Sequence, residues 1–393
     1  MEFILRNIHK ARAFGWLYVA NLFVGFHFSS IEFINSSFLL SFMSRNEMGT
    51  LIAVSSALAV LALSLTTRML ARWGVYHTVL TAAVIDFGAV VGLATLARPN
   101  VLVVCFTLHI LLFPILLFGL DVLLENRAVD ETETGNVRGI FLTIGMLASL
   151  FSPMIAGLLV GTEGVYSRVY LLSALFLVPF VGVLFAHARD FVDPVYRLFS
   201  PFATLRRVIA DRDILSIATG QFLMRFFFSW MVVYLPIYLH EYVGFSWPQI
   251  GLILFFMLIP YILVEWPAGL LADSTLGEKE LLIAGFVLTA LSTAFLVLPL
   301  GTNLILWASI LFVSRIGTAL IESMTETYFF KKVGGHDADL MSLFRIMRPL
   351  AYVVGPISAT VLLMFIPLSY LWLILAGIML CGVVTTLGLT DTK

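Results

Sequence analysis

Two stretches set about 202 residues apart carry the same turn at the same place in two successive runs of hydrophobic segments. This repeat constrains the fold of the chain more than any other feature. Thr67-Arg68-Met69-Leu70-Ala71-Arg72-Trp73-Gly74 aligns with Gly269-Leu270-Leu271-Ala272-Asp273-Ser274-Thr275-Leu276-Gly277, with one inserted residue. Gly49 falls opposite Gly251, Asp121 and Glu125 opposite Glu322 and Glu326, and Ser152-Pro153 opposite Gly355-Pro356. Landmarks that recur with the hydrophobic segments describe a chain built as two related halves.

The segments themselves belong in a bilayer. With 60% hydrophobic and only 12% charged residues, the chain lacks the charge that water-facing helices need. A spanning helix takes roughly 20 apolar residues, and polar or Gly/Pro-marked turns divide the chain into twelve such runs. They fall near 14–41, 48–66, 76–97, 101–123, 138–161, 166–188, 213–240, 248–271, 280–299, 303–328, 338–365 and 368–388. Barrel strands are half as long and alternate strictly, so the expected class is an all-α integral membrane protein. It has twelve transmembrane helices in two pseudo-symmetric six-helix bundles. The bundles are expected over 1–189 and 213–393, joined by a linker at 190–212.

Charge sets the orientation. Sixteen Lys and Arg lie in the termini and even-numbered connections, against Arg45, Arg98 and Arg168 on the opposite side, which places both termini in the cytoplasm. Arg6, Lys10 and Arg12 precede a first span too long for a signal-peptide core, so residues 1–13 are expected to stay as a cytoplasmic leader. The linker holds Arg189, Arg197, Arg206, Arg207 and Arg212 with Pro194 and Pro201, and reads as a basic amphipathic helix on the anionic inner leaflet. A net charge of −1 gives no basic field for nucleic acid. Cys105 and Cys381 sit in apolar runs and read as small core residues. No Gly-x-x-x-x-Gly-Lys-Ser/Thr phosphate cradle is present. The sequence therefore implies no cofactor, no metal and no ATP site, and any energy must come from a gradient.

Twelve spans in two halves, cytoplasmic ends and a long central connection make the chain resemble the major facilitator superfamily over nearly its whole length. Gly269-Leu270-Leu271-Ala272-Asp273 followed by Gly277-Glu278-Lys279 resembles that family's Gly-x-Leu-Ala-Asp-x-x-Gly-x-Lys signature. The first-half copy keeps Arg72, Trp73 and Gly74 but has Thr67 and Ala71 where the family has Gly and Asp. The resemblance implies a gating element, in which glycine allows close helix approach and the carboxylate caps a helix N-terminus or pairs with basic residues in one conformation. A simple tight turn is the alternative. Ser152-Pro153-Met154-Ile155-Ala156-Gly157 weakly resembles the Gly-Pro-x-x-Gly-Gly segment of drug antiporters, without its leading glycine. Gly88-x-x-x-Gly92 and Gly157-x-x-x-Gly161 read as packing faces between helices.

Ionisable side chains inside a membrane each need a partner, a watery cavity or a task. The resemblance implies that spans one, four, seven and ten line the solute pathway. These hold His27, Glu32 and Asn35, then His109 and Asp121, then Gln221 and Arg225, then Arg315 and Glu322. Phe28, Glu32 and Asn35 share helical spacing, as do Gln221, Arg225 and Phe228, and Arg315, Glu322 and Glu326. Phe226, Phe227, Phe228, Trp230 and Tyr234 lie beside them, as the wall of an amphipathic cavity or as core and lipid-facing filler. Arg225 suits an anionic substrate group or a carboxylate; a permanent pair with Glu32 or Asp86 is the alternative. Glu32 and Glu265 are the expected proton carriers, because burial moves a carboxyl toward cytoplasmic pH. Asp86 reads as a structural hydrogen-bonding group, and His27 and His109 either titrate or satisfy neighbours. Asp121, Glu125, Glu322 and Glu326 near Arg138, Arg345 and Arg348 suggest inner-gate ion pairs, with a static brace as the alternative for Glu125 and Arg138.

The pattern points to a secondary active transporter of a small organic solute by alternating access, coupled to protons. A uniporter of the same fold and a multidrug-type proton antiporter are near alternatives. From other classes come a transport-inactive sensor and a polytopic membrane enzyme, but His27 and His109 have no neighbouring nucleophile or metal-type spacing in sequence. Mixed charge favours a zwitterion or organic anion over a cationic drug. The expected partners are the solute, protons and the bilayer of the plasma membrane, with the protein a monomer.

Overall fold

The computed structural model describes residues 2–125, 131–194, 196, 201–272, 276–333 and 338–390; side-chain surroundings are described for these except at 2–13, 131–136, 201–203, 265–266, 330, 333, 338–339, 341–343 and 345. The described residues are helical almost throughout. In chain order the helices are α1 (Glu2–Glu32), α2 (Asn35–Leu40), α3 (Arg45–Thr95), α4 (Pro99–Glu125), α5 (Glu131–Val160), α6 (Ser167–His187) and α7 (Pro201–Ala210). They continue as α8 (Arg212–Ile237), α9 (Trp247–Leu271), α10 (Glu278–Ala294), α11 (Leu304–Val333), α12 (Ala338–Leu362) and α13 (Leu368–Leu387). Ten stretches of described residues are long and apolar enough to cross a bilayer, and Ile346–Leu362 is a shorter apolar helix. One of the ten, Arg45–Thr95, runs 51 residues but is two helices meeting at Gly74. The spans at 48–66 and 76–97 are therefore separate, and the first continues to Trp73.

The break at Gly74 shows the repeat at the level of backbone geometry. Gly74 has φ 74° and ψ 163°, and Gly277, its counterpart 203 residues on, has φ 85° and ψ 162°. A residue with a Cβ is strained in that region, so both halves need glycine where the chain turns into the next helix. At Gly74 the orphan amide of Val75 donates to Asp193 Oδ1 at 2.8 Å. The Tyr196 hydroxyl donates to the same oxygen, and burial together with that bond pushes its phenol above its usual range. The carboxylate missing at Ala71 is thus supplied from after α6. Asp273 lies outside the described residues.

The chain forms two compact units, Met1–Ile34 with Leu58–Leu198, and Asn35–Ala57 with Phe199–Lys393. In the first, α1 packs against α5 and α6, with Gly25 so near Ala148 that an added Cβ would stand 2.9 Å from it. Asn21 Nδ2 donates to the Phe141 carbonyl at 2.7 Å across the same contact. In the second, α10 and α11 approach most closely at Gly285 and Gly317. A Cβ on Gly317 would lie 2.7 Å from the Gly285 carbonyl oxygen. Small residues let membrane helices gain packing where no hydrophobic driving force separates them from lipid.

Two local expectations change. Span one does not run unbroken to 41: α1 stops at Glu32 and α2 begins at Asn35, so Asn35 leaves the stripe of Phe28 and Glu32. Gly88 faces open space and Gly161 sits in a turn at φ 63°, so neither serves as a helix-packing face, although Gly92 does sit against Cys105. The basic connection forms α7, with Thr204 and Val208 buried and Arg206 and Arg207 exposed.

Candidate functional site

In the second unit the charged groups of α8 and α11 meet. Arg225 Nη2 donates to Glu322 Oε1 at 2.8 Å, and both side chains keep 20% of their surface exposed. Glu326, one turn further along α11, and Tyr261 of α9 lie within electrostatic reach of the same guanidinium. Four residues before Arg225, Gln221 is buried and accepts from Thr325 Oγ1 at 3.2 Å. The i, i+4 spacing on α8 and the i, i+3 spacing of Glu322 and Thr325 on α11 make this one continuous polar seam.

Arg315, two turns below Glu322, is fully buried, with its guanidinium 4.8 Å from the Phe228 ring centroid and 5.3 Å from that of Phe227. A guanidinium keeps its charge when buried and is weakly hydrated, which suits it to aromatic faces. Phe228 also stands 6.0 Å from Arg225 and from the Tyr261 ring, and the Tyr261 hydroxyl shares a 2.7 Å bond with Thr318 Oγ1. Two cations, one paired carboxylate, an aromatic face and a phenol therefore gather around Phe228. Four other aromatics of α8 are core, while Phe222 is partly buried. Phe226, Phe227, Trp230 and Tyr234 are buried, and Trp230 Nε1 donates to the Gly355 carbonyl at 2.8 Å.

The first unit gathers a second cluster. Asp86 of α3 bridges two histidines, Oδ2 lying 3.1 Å from His27 Nε2 and Oδ1 2.9 Å from His109 Nδ1. All three are fully buried, and their donor atoms lie within 4.8 Å of one another. Ser173 of α6 closes the far side of His27, and Phe28 stacks on Phe113 at 3.6 Å beside His109. Asp86 thus binds histidines, while Arg225 finds its carboxylate in Glu322, so the pairing of Arg225 with Glu32 or Asp86 gives way to two separate arrangements.

The remaining expected residues scatter. Glu32 and Asp121 are partly buried, Arg72 is exposed, Arg348 and Gly269 are partly buried, and Glu125 pairs with Arg138 at 3.3 Å near the surface. The side chains of Glu265 and Arg345 lie outside the described residues. Sequence reasoning missed Tyr261, Thr318 and Asp193 and undervalued Asp86. A tyrosine after Pro260 in an otherwise apolar run was the available signal for the first.

The major facilitator superfamily model matches residues 217–393. No curated protein matches the chain. Among solved structures, a crystal structure of an Asp-to-Ala mutant of the nucleoside transporter NupG is similar, with a TM-score of 0.71 at 14% identity, covering 95% of this chain and 99% of that one. That likeness shows the fold over 95% of the chain.

Proposed function

We propose that this chain, a major facilitator superfamily protein by its match over residues 217–393 and by the fold over 95% of its length, is a multi-pass membrane transporter that moves a small organic solute by alternating access, coupled to protons. The observation that carries the reading is the Arg225–Glu322 pair, held at 2.8 Å yet left 20% exposed beside the buried Gln221 and Arg315. Full enclosure of an ion pair costs desolvation that its attraction need not repay, whereas a partly open pair keeps a donor fork and an acceptor for a ligand. Phe228 and Tyr261 beside it supply a face for a flat ring.

The substrate class that fits is a polar, ring-bearing solute without large net charge, because the cations of Arg225 and Arg315 stand against the carboxylates of Glu322 and Glu326. Nucleosides are the first such class to test, since NupG, with the same fold, is a nucleoside transporter. The setting is the plasma membrane with both termini cytoplasmic, by the distribution of Lys and Arg, and the working unit is a monomer. The reading is of a transporter and not of an enzyme.

The test is ligand-induced thermal shift on purified protein at pH 5.5 and 7.5, with uridine, amino acids, organic acids and sugars. Uridine raises the apparent Tm of wild type and fails to do so in Arg225→Gln and Glu322→Gln. A ligand whose shift survives in both variants removes this site from the reading.

A further inference from the structure

The proton inventory of the buried cluster in the first unit can be worked out from its acceptors. The Ser173 hydroxyl has one hydrogen, and the His27 carbonyl oxygen, an acceptor only, lies 2.8 Å away. The hydroxyl therefore donates there and accepts from His27 Nδ1 at 2.8 Å, while the Ser173 carbonyl, also an acceptor only, stands 3.1 Å from the same nitrogen. Nδ1 of His27 carries hydrogen. In a neutral imidazole the other nitrogen is then a lone pair, and here it faces a carboxylate oxygen at 3.1 Å. Two lone pairs do not hold that distance, so one more proton sits on this edge, on His27 or on Asp86. His109 Nδ1 lies 2.9 Å from the other carboxylate oxygen; with that oxygen ionised and an acceptor only, Nδ1 donates there, leaving its Nε2 buried with no hydrogen-bond partner among the described residues.

With that proton the cluster sums to zero charge; without it, a net negative charge remains in a fully buried place. A divalent cation in the same position would leave a net positive charge and only three protein ligands, fewer than a closed metal site takes. The charged groups acting on Asp86 are His109 and His27. On its other side α1 meets α5 through Ser29 to Ser149 and Asn21 to the Phe141 carbonyl, none of them titratable, and α6 contributes Ser173. Losing the proton sets lone pair against lone pair at the contact between α1 and α3, which pushes those helices apart at His27.

We infer that His27, Asp86 and His109 hold one exchangeable proton, bound on the edge between His27 Nε2 and Asp86 Oδ2, and that its binding and release couples the transport cycle. The coupling clause rests on the transporter reading above; the proton site does not. His109 is a positioning residue that donates to Asp86. This assigns to the cluster the role that the sequence suggested for Glu32 and Glu265.

Two measurements on the full chain separate these claims. In the first, purified protein labelled with 15N-histidine is titrated in micelles, with His27→Gln identifying the His27 signals and infrared spectra of wild type and Asp86→Asn identifying the Asp86 carboxyl band. Below neutral pH the expected result is either a doubly protonated His27 ring or a protonated Asp86, lost in one step on alkaline titration. A neutral His27 ring beside an ionised Asp86, or stoichiometric zinc in the purified protein, overturns the proton site. In the second, proteoliposomes with an alkaline interior are given uridine as the probe. Wild type accumulates it; Asp86→Asn exchanges it without accumulation; His109→Asn, which keeps a donor in the Nδ1 position, retains accumulation while His109→Leu loses it. Accumulation by Asp86→Asn at the wild-type level overturns the coupling. A wild type that moves no uridine removes the nucleoside reading and the coupling with it, and leaves the proton site to the titration.

Discussion

Replacing Gly74 by alanine tests whether the first-half turn is held by Asp193. The substitution forces a residue with a Cβ into φ 74° and ψ 163°, which costs about 1–3 kcal/mol. The new Cβ would also stand 2.5 Å from Asp193 Oδ2, so the carboxylate must move and its bond to the Val75 amide weakens. Loss of a helix N-terminal cap costs about 1 kcal/mol, giving a total on the order of 2–4 kcal/mol for the single change. For a unit of this size, each kcal/mol corresponds to about 2–4 °C in Tm, so Gly74→Ala lowers the apparent Tm by roughly 4–16 °C. Asp193→Ala alone removes the cap and costs about 1 kcal/mol. In the Gly74→Ala background it costs less, because the cap is already displaced and the clash disappears with the carboxylate. Thermal unfolding of the four proteins in one detergent, followed by tryptophan fluorescence, completes the double-mutant cycle. A Gly74→Ala protein within about 0.5 kcal/mol of wild type, or an Asp193→Ala cost equal in both backgrounds, refutes the reasoning.

Further outcomes follow from the packing and the polar seam. Gly317→Ala drives a methyl into the Gly285 carbonyl oxygen at 2.7 Å and the Thr289 amide nitrogen at 2.8 Å; overpacking of this kind costs about 1–3 kcal/mol, read as a drop in apparent Tm. Trp230→Phe removes the 2.8 Å bond from Nε1 to the Gly355 carbonyl, which keeps its bond from Ser358 Oγ, and destabilises by about 0.5–1.5 kcal/mol, whereas a loss below the precision of the melt would show that the bond contributes nothing net. Phe228→Leu takes the aromatic face from Arg315 and Arg225, an interaction worth about 1–2 kcal/mol, and weakens uridine binding by titration calorimetry while Phe256→Leu, on the exposed surface of α9, leaves it unchanged.

What the sequence made legible is what local physics dictates. The repeat survives as matching glycine geometry at 74 and 277 because only glycine fits that turn, and the apolar runs became helices because unsatisfied backbone in lipid is expensive. Prolines such as Pro114, Pro153 and Pro179 stay inside helices, so the length of an apolar run and not its prolines marks a span. What stayed hidden depends on which helices meet. Nothing in Glu32-Phe33-Ile34-Asn35 is a helix breaker, yet α1 ends there. Asp86 lies 59 residues from His27 and 23 from His109, and no spacing rule joins such positions. Asp193, which replaces the acid absent at Ala71, lies 118 residues beyond the Val75 amide it accepts from. The pairing of Arg225 with Glu322 likewise needed α8 placed beside α11, although both residues were marked by their cost inside a membrane.

The most direct test of the central claim is uptake of radiolabelled uridine into proteoliposomes holding the purified chain, with and without an inward proton gradient. The account predicts saturable uptake by wild type that rises with the gradient and is abolished in Arg225→Gln. Uptake no greater than in empty liposomes, or equal uptake by wild type and Arg225→Gln, contradicts it.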